Sequence, residues 1–459
     1  MRDNSDLTTG GILQKLVFVA LPLMGTQLVQ MLYNLTDMFW LGRLSSDHVA
    51  ASGVSGMYMW LSMALLMIGR MGAEIGVSQN KGRGDMDRAQ AFTQNAWLLS
   101  VAFGLLYGAL LVIFNKPLLS VYHLQDVYVR DEAARYLQIV GLGIPATYMS
   151  AVFVGTFNGS GNSRTPFYIN AIGLVTNMIA DPLMIFSLGL GIRGAAAATV
   201  LAQWLVTGLL ALAVRKHRDR PFAAFRLRLR PSASIIREII RWSLPIAIES
   251  CLFTMLSMGV TRVVSGFGAD ALAVQRVGTQ VESLSWLIAG GFGSAMTAFI
   301  GQNYGARQWG RIGKGFSMAS RAMILWGCVT TATLFFGGYT LISLFLMEDR
   351  LRITGAAFMR ILTVSQIAAC LEGVGAGYFR GSGRTTPPSM TSILCNALRI
   401  PLSYWLTKTS LGINGVWWTL SLTALARGSV IYLWALVDLS GRRRHNIDKQ
   451  RFAYYNDLR

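Results

Sequence analysis

The sequence predicts an all-α, polytopic membrane protein of about twelve transmembrane helices, arranged as two homologous six-helix lobes. Three observations predict this class. The composition is 53% hydrophobic and only 14% charged, whereas soluble proteins carry about 25% charged residues. Long apolar runs, for example 96–114 and 323–347, are sufficient to cross a hydrocarbon core, which needs about 20 residues. The third observation is an internal repeat.

Length and flanking polar residues place twelve spans along the chain. We expect the first apolar run to remain as a helix, because it is too long for a signal peptide and no small-residue cleavage site follows it. The four cysteines lie in apolar segments without metal or redox spacing, so we interpret them as core residues. The spans cover approximately residues 14–41, 49–77, 92–114, 132–157, 166–188, 194–214, 236–267, 272–300, 316–347, 353–379, 388–407 and 415–439.

The basic residues indicate the orientation. They concentrate in alternate loops, such as those around Lys81, Arg215 and Arg311, and in the tail at Arg442. By the positive-inside rule these loops and both termini are cytoplasmic, which requires an even number of spans. The formal charge of +19 is therefore a topological signal and does not indicate nucleic-acid binding. The predicted organisation is an N-terminal lobe (1–214), a basic cytoplasmic linker (215–235), a C-terminal lobe (236–440) and a basic cytoplasmic tail (441–459).

The repeat has nearly constant spacing. Gln79-Asn80-x-Gly82 recurs in the second half as Gln302-Asn303-x-Gly305. Because each unit holds an even number of spans, both copies insert in the same direction, as a parallel repeat. Such repeats build transporters whose substrate path lies between the halves, near the bilayer midplane. Further pairs in the same order, with the same or nearly the same separation, are Pro22 and Pro245, Gly159 and Gly381, and Gly194 and Gly415.

Asp37 is a carboxylate inside the first span. An ionisable group in a span costs roughly 2.5 kcal/mol or more, so it marks a functional site by default. Tyr33 and Asn34 precede it by four and three positions and lie on the same helix side. The repeat places Val260 at the equivalent position of the second half. The shared scaffold therefore does not require a carboxylate there.

Asp181, in the fifth span, shows the same asymmetry, since its counterpart is Ile400. It precedes Pro182, which disrupts the helical hydrogen bonds. Asn177 shares its helix face, and Thr199 of the sixth span offers a hydroxyl group. If both aspartates meet, their mutual repulsion and desolvation favour uptake of a proton at physiological pH. The same oxygens could instead hold Na⁺, and both alternatives stay open.

The charged residues in second-half spans are candidates for lining a substrate cavity. Glutamates there could bind cationic substrates, or could pair with arginines such as Arg262 and Arg276. The cavity candidates are Asn34, Glu249, Glu282, Glu372 and Arg399.

The order of three motifs resembles that of the multidrug and toxic compound extrusion (MATE) family: Thr36-Asp37-Met38-Phe39-Trp40-Leu41-Gly42, then Gln79-Asn80-x-Gly82, then Asn177…Asp181-Pro182. The resemblance implies twelve helices in two six-helix lobes and export of organic cations against inward H⁺ or Na⁺. It implies that Asp37 and Asp181 carry the coupling ion. The N-lobe aspartate pair is similar to that of the DinF-like branch. The partners implied by the resemblance are Tyr33, Asn177, Thr199 and Tyr136.

We therefore expect secondary active efflux of amphipathic or cationic drug-like compounds by alternating access. We expect no cofactor beyond the coupling ion, no resident metal, no nucleic-acid partner, and a monomer surrounded by lipids in a prokaryotic inner or plasma membrane. The alternative is a flippase for lipids or lipid-linked oligosaccharides, which Arg262, Arg276 and Arg399 keep open. An enzyme is not expected, because the sequence has no Walker A motif and no histidine cluster.

Overall fold

The computed structural model describes residues 5–44, 46–120, 126–216, 220–223, 225 and 230–457, and the predicted linker lies partly outside these ranges. Every regular element in the described ranges is helical, as predicted. A π-helical turn, Leu183–Ser187, follows α7. The α-helices are α1 (Ile12–Leu44), α2 (Ser46–Arg83), α3 (Met86–Ile113), α4 (Asn115–Ser120), α5 (Val127–Gly141), α6 (Ile144–Gly159), α7 (Arg164–Pro182), α8 (Ile192–Lys216), α9 (Ala233–Ser265), α10 (Ala269–Gly305), α11 (Trp309–Ser343), α12 (Asp349–Gly381), α13 (Thr386–Ala397), α14 (Arg399–Thr407) and α15 (Ile413–Asp457).

Ten single helices in the described chain are long and apolar enough to cross a membrane. Helices α5 and α6 together make an eleventh span, bent by 45°. Pro145 explains the bend, because proline donates no backbone hydrogen bond and its ring clashes with the carbonyl four residues earlier. That carbonyl belongs to Gly141, where α5 ends. The fourth predicted span is therefore a broken helix.

The predicted span 388–407 is also not continuous. It is divided into α13, with 12 residues, and α14, with 9 residues. Pro401 lies four positions after Ala397, the last residue of α13, and its ring disfavours a continuous helix at this point. Neither piece alone reaches the length of a membrane crossing. Counting α5 and α6 as one span gives eleven candidate spans among the described residues, compared with about twelve predicted.

The chain forms two compact units. The boundaries that separate them along the sequence fall inside helices and not in the loops between helices. Unit 1 comprises Met1–Asp6 and Leu21–Ala247, and unit 2 comprises Leu7–Ala20 and Ile248–Arg459. The divisions fall near Pro22 of α1 and Pro245 of α9. The predicted lobes 1–214 and 236–440 end between spans, and those bounds stay a prediction.

Hydrogen bonds explain why the N-terminal segment belongs to unit 2. The backbone N–H of the buried Leu7 donates to Oε1 of Gln302 at 2.9 Å. The carbonyl of Leu7 accepts from Asn303 Nδ2 and from Arg311 Nε, each at 3.1 Å. The second copy of the Gln-Asn-x-Gly motif thus binds a backbone segment that would otherwise leave its polar groups unpaired.

Unit 1 and unit 2 each contain a close helix contact, and the two contacts involve positions that the internal repeat makes equivalent. A Cβ atom added at Gly155 of α6 would lie 2.4 Å from the carbonyl oxygen of Arg70 on α2. Its counterpart on α12, Gly377, would meet the carbonyl oxygen of Gly293 on α10 at 2.6 Å. Arg70 and Gly293 have the same separation in sequence as the two copies of the Gln-Asn-x-Gly motif. Small residues let membrane helices approach closely, so the same helix crossing is built twice.

Candidate functional site

A buried polar cluster in unit 1 joins α1, α7 and α8. The Thr199 hydroxyl of α8 donates to Oδ2 of Asp37 on α1 at 3.4 Å. On α7, Asn177 Nδ2 donates to Oδ1 of Asp181 at 3.2 Å. The Asp37 carboxyl group also interacts with the side chains of Asp181 and Asn177. Asp181 and Asn177 are fully buried. The structure thus brings together two carboxylates that come from the first and fifth predicted spans.

Two phenols complete this cluster. Tyr33 of α1 interacts electrostatically with both aspartates and also interacts with the side chain of Thr199. Tyr136 of α5 interacts with the same two aspartates. Asn34, by contrast, is exposed and lies outside the groups that interact with Asp37.

Four oxygen atoms in the cluster have no hydrogen-bond partner among the described residues. They are the Tyr33 hydroxyl, Asp37 Oδ1, Asn177 Oδ1 and Asp181 Oδ2. Most buried polar atoms in proteins are paired, so a group of unpaired oxygens in one place indicates a ligand. Carboxylate, amide and hydroxyl oxygens suit a hard cation, and a carboxylate pair also suits a single shared proton.

Asp181 lies where the fifth span changes from α-helical to π-helical hydrogen bonding. Pro182 has no N–H and cannot supply the hydrogen bond that the Met178 carbonyl would otherwise accept. The chain then continues as a π-helical turn, in which the Leu188 N–H donates to the Leu183 carbonyl at 2.9 Å. Such π-helical segments often occur at functional sites. The last turn of α7 therefore carries the Asp181 carboxylate and also the Met178 carbonyl, which lacks its usual hydrogen-bond donor from the helix backbone.

The equivalent region of unit 2 holds a cavity of about 350 Å³ and no aspartate pair. Val260, the counterpart of Asp37, lines this cavity, and so does Leu420, the counterpart of Thr199 in the repeat. Two charged residues also line it, Glu282 of α10 and Arg399 at the start of α14. The two halves of the repeat thus hold different chemistry at the same place.

Each charge in the unit 2 cavity is held by neutral partners. Oε1 of Glu282 accepts from Gln366 Nε2 at 3.0 Å and from Trp286 Nε1 at 3.2 Å. Arg399 is 8% exposed, and its Nε donates to the Thr423 hydroxyl at 3.0 Å. Within the described ranges no ion pair closer than 4 Å joins Arg399 to Glu282, but the two side chains attract each other, and Arg427 also attracts Glu282.

Glu372 and Glu249 have other partners. Glu372 accepts from Arg427 Nε at 2.8 Å, in an ion pair whose arginine is 5% exposed. Glu372 lines a second cavity of about 140 Å³ in unit 2. Glu249 accepts from the Ser389 hydroxyl at 2.7 Å and does not line the larger cavity. Sequence reasoning missed Arg427, although an arginine inside the last span is a signal that could have identified it.

The fold is that of a multi-pass membrane protein, and the family model that matches it describes transport proteins and not enzymes. The model of the MatE family matches residues 22–183 and matches again at residues 245–405. The two matches begin at Pro22 and Pro245, which the internal repeat pairs with each other. The chain belongs to the MatE family.

Named relatives match over most of their length. The chain is 27% identical to the probable multidrug resistance protein NorM of Thermotoga maritima, covering 88% of each sequence. It is 29% identical to the probable multidrug resistance protein NorM of Pseudomonas putida, covering 89% of this chain and 91% of the relative. A crystal structure of MATE in complex with MaD3S superposes with a TM-score of 0.89 at 20% identity, covering 97% of this chain and 99% of that chain. The structural likeness supports the two-lobe repeat fold.

Proposed function

We propose that this protein is a secondary active exporter of amphipathic or cationic compounds, driven by inward H⁺ or Na⁺ bound at Asp37 and Asp181. The observation that carries the proposal is the meeting of these two aspartates in unit 1, with unpaired oxygens around them, where the second half has Val260 and Ile400. Relatives named multidrug resistance protein support an export function.

The geometry suggests how ion binding would couple to conformation. Asp37 and Asp181 repel each other when both are charged, and a proton or a cation between them removes that repulsion. Because the two carboxylates lie on α1 and α7, ion binding draws these helices together and ion release lets them separate. Alternating access needs two such states with different ion affinities. Tyr33, Asn177, Thr199 and Tyr136 supply the remaining groups of the ion site.

Ion-driven efflux from proteoliposomes tests this assignment. A fluorescent organic cation is loaded, and a proton gradient or a sodium gradient is applied alone. We expect one of the gradients to drive export, and Asp37→Asn and Asp181→Asn each to abolish that dependence. Asp131→Asn, which changes an exposed aspartate of α5, is the matched control and should behave as wild type. Full gradient-driven transport by both site variants would refute the assignment.

The topology, the branch of the family and the oligomeric state are part of the same proposal. The distribution of basic residues supports cytoplasmic termini, and the N-lobe aspartate pair supports assignment to the DinF-like branch. We propose that one chain, surrounded by lipid, contains the whole transport path. Cross-linking in proteoliposomes and labelling of single cysteines at each terminus test the oligomeric state and the topology.

The lipid flippase remains the second candidate, and one observation favours it. Arg399 lines the unit 2 cavity, where a guanidinium group could bind a phosphate. Arg262 and Arg276, the other arginines considered, are exposed and lie outside that cavity. A flippase would move labelled phospholipid between leaflets without exporting organic cations, and the same proteoliposomes allow both assays.

A further inference from the structure

The helices α1 and α9 each begin in one unit and end in the other, and the internal repeat makes their first halves equivalent. Residues 12–20 of α1 belong to unit 2, and residues 233–247 of α9 belong to unit 1. An arginine holds the start of each helix. Arg88, near the start of α3, pairs with Glu238 of α9 at 2.9 Å. Its counterpart in the repeat, Arg311, lies near the start of α11 and donates to backbone carbonyls just before α1.

The two attachments differ in their polar contacts. Before α1, Arg311 donates to three carbonyls, and the buried Leu7 forms further hydrogen bonds with the second copy of the Gln-Asn-x-Gly motif. The ion pair that holds α9 has side chains that are 44% and 37% exposed. It is accompanied by a hydrogen bond from the Ser232 N–H to Asn95 Oδ1 at 2.8 Å. An exposed ion pair contributes little and is screened by salt, whereas charged donors form stronger hydrogen bonds than neutral ones. Among the described residues, α9 therefore has the weaker polar attachment.

The apolar contacts do not reverse this difference. Ile239 of α9 and its counterpart Leu16 of α1 are both buried, at 0% and 1% exposure. Trp242 is half-buried and stacks on Phe92 of α3, with ring centroids 5.4 Å apart. Its counterpart on α1, Val19, is 1% exposed. At this pair of positions α9 is the less enclosed helix, so the polar contacts decide which helix is held more firmly.

We propose that the start of α9 is a releasable latch, in which Arg88 and Glu238 separate and α9 leaves α3 during the transport cycle, while Arg311 keeps α1 docked. The inference rests on the proposed export function, because it names a conformational step of that cycle. Pro245 lies inside α9 near the boundary between the units. Because proline weakens the helix backbone at its position, the released end can bend there without unfolding the rest of α9.

Two equivalent cysteine positions test the release. Ile239→Cys and Leu16→Cys place a thiol at buried, repeat-related sites, and N-ethylmaleimide labels a thiol only when it becomes accessible. Labelling is followed in proteoliposomes with and without gradient-driven efflux. Mass spectrometry of the peptides separates these thiols from the four native cysteines. We expect labelling at position 239 to become several-fold faster during efflux, and labelling at position 16 to stay slow.

A charge exchange tests the latch without any gradient. In purified Ile239→Cys protein, Arg88→Glu should speed labelling up to roughly fivefold, the scale of one exposed ion pair. Adding Glu238→Arg restores an ion pair and should return labelling to the slow rate. Arg237→Gln removes an exposed arginine beside Glu238 on α9 and is the matched control. Hydrogen exchange at the Ser232 amide, in chains that keep Ile239, reads the same opening without the cysteine.

The outcomes separate the latch from the export function. Equal acceleration at positions 239 and 16 during efflux, or no acceleration at either, overturns the inference. Labelling and amide exchange that both ignore Arg88→Glu also overturn it. A charge exchange that opens and recloses the latch, in a protein without gradient-driven efflux, would support the latch and overturn the proposed ion coupling.

Discussion

Asp37 and Val260 occupy equivalent positions in the two halves of the chain, but their surroundings differ in kind. Asp37 receives a hydrogen bond from Thr199 and interacts with Asp181. Val260 is 3% exposed and packs in an apolar cluster with Val263 and Val264. The crossing of α2 with α6 repeats as that of α10 with α12, but the fifth span continues into a π-helical turn in the first half and is divided into α13 and α14 in the second. One half of the repeat therefore holds a pair of interacting aspartates, and the other holds a cavity lined by Glu282 and Arg399.

Thr199→Val should shift the ion dependence of efflux without removing it. The Thr199 hydroxyl donates to Asp37 at 3.4 Å, and a hydrogen bond to a charged group contributes about 1.5–3 kcal/mol. The bond stabilises the ionised carboxylate, so its loss favours proton uptake. If efflux is coupled to protons, the proton concentration for half-maximal efflux should fall roughly tenfold, which is the lower end of that range. Maximal efflux at saturating ion should change little, because both carboxylates remain.

The control for Thr199→Val is Thr176→Val. Thr176 is half-buried on α7, and its hydroxyl donates to the Ile172 carbonyl of the same helix. This variant should keep the wild-type ion dependence. An unchanged half-maximal ion concentration in Thr199→Val would show that its hydroxyl does not contribute to ion binding.

The sequence predicts the first site better than the second for a physical reason. Asp37 and Asp181 are isolated charges in apolar spans, and the repeat shows directly that the scaffold does not need them. Sequence alone could not assign roles to Glu282, Glu372 and Arg399, because each could pair or face a cavity. Only their contacts separate Glu372, which is ion-paired with Arg427, from Glu282 and Arg399, which are not.

The breaks in the helices show a second limit of sequence reasoning. Hydropathy indicates where an apolar run begins and ends. Because it is averaged over a window of residues, it does not show a kink within that run. Pro145 and Pro401 each follow the end of a helix by four positions, but Pro22 and Pro245 lie inside the continuous helices α1 and α9, so a proline alone does not predict a break. The division of α1 and α9 between the units depends on tertiary contacts of residues such as Leu7, which hydropathy does not report.

Gly155→Ala and Gly377→Ala should each destabilise the protein. The added Cβ would lie 2.4 Å and 2.6 Å from backbone carbonyl oxygens of the neighbouring helix. Backbone cannot move as a flexible side chain can, so the helices must separate, at a cost of about 1–3 kcal/mol. Thermal unfolding of the purified protein, followed by tryptophan fluorescence, measures the effect.

Gly208→Ala is the matched control for the glycine variants. Gly208 lies in the middle of α8, and an added Cβ would meet no atom within 4 Å. Alanine forms helices better than glycine by about 1 kcal/mol in soluble hosts, so this variant should be neutral or slightly stabilised. Equal melting temperatures for Gly155→Ala and Gly208→Ala would contradict the close helix contact.

The single variant Arg427→Met should be less stable than the double variant that combines Arg427→Met with Glu372→Leu. Removing one partner of a buried pair leaves an uncompensated charge, which costs about 3–5 kcal/mol. Removing both charges avoids that cost, so the double variant should recover most of the loss. Thermal unfolding of wild type, both single variants and the double variant gives the coupling energy. Additive losses would mean that the 2.8 Å contact between Arg427 and Glu372 contributes no coupling.

Arg311→Gln should loosen the N-terminal segment that belongs to unit 2. The Arg311 side chain donates to the carbonyls of Leu7, Thr9 and Gly10, at 3.1, 2.9 and 2.8 Å. Losing charged donors from this segment should lower its local opening free energy by about 2 kcal/mol, which makes amide exchange roughly 30-fold faster. Hydrogen–deuterium exchange of an N-terminal peptide measures this rate.

Arg321→Gln provides the comparison for Arg311→Gln, since Arg321 is an exposed arginine of the same helix, α11. It should leave exchange at residues 7–10 unchanged. In Arg311→Gln, the Leu7 bonds to Gln302 and Asn303 remain, so exchange should rise at Thr9 and Gly10 more than at Leu7. A uniform rise across unit 2 would instead indicate global destabilisation, and wild-type exchange at all four residues would show that Arg311 does not hold the segment.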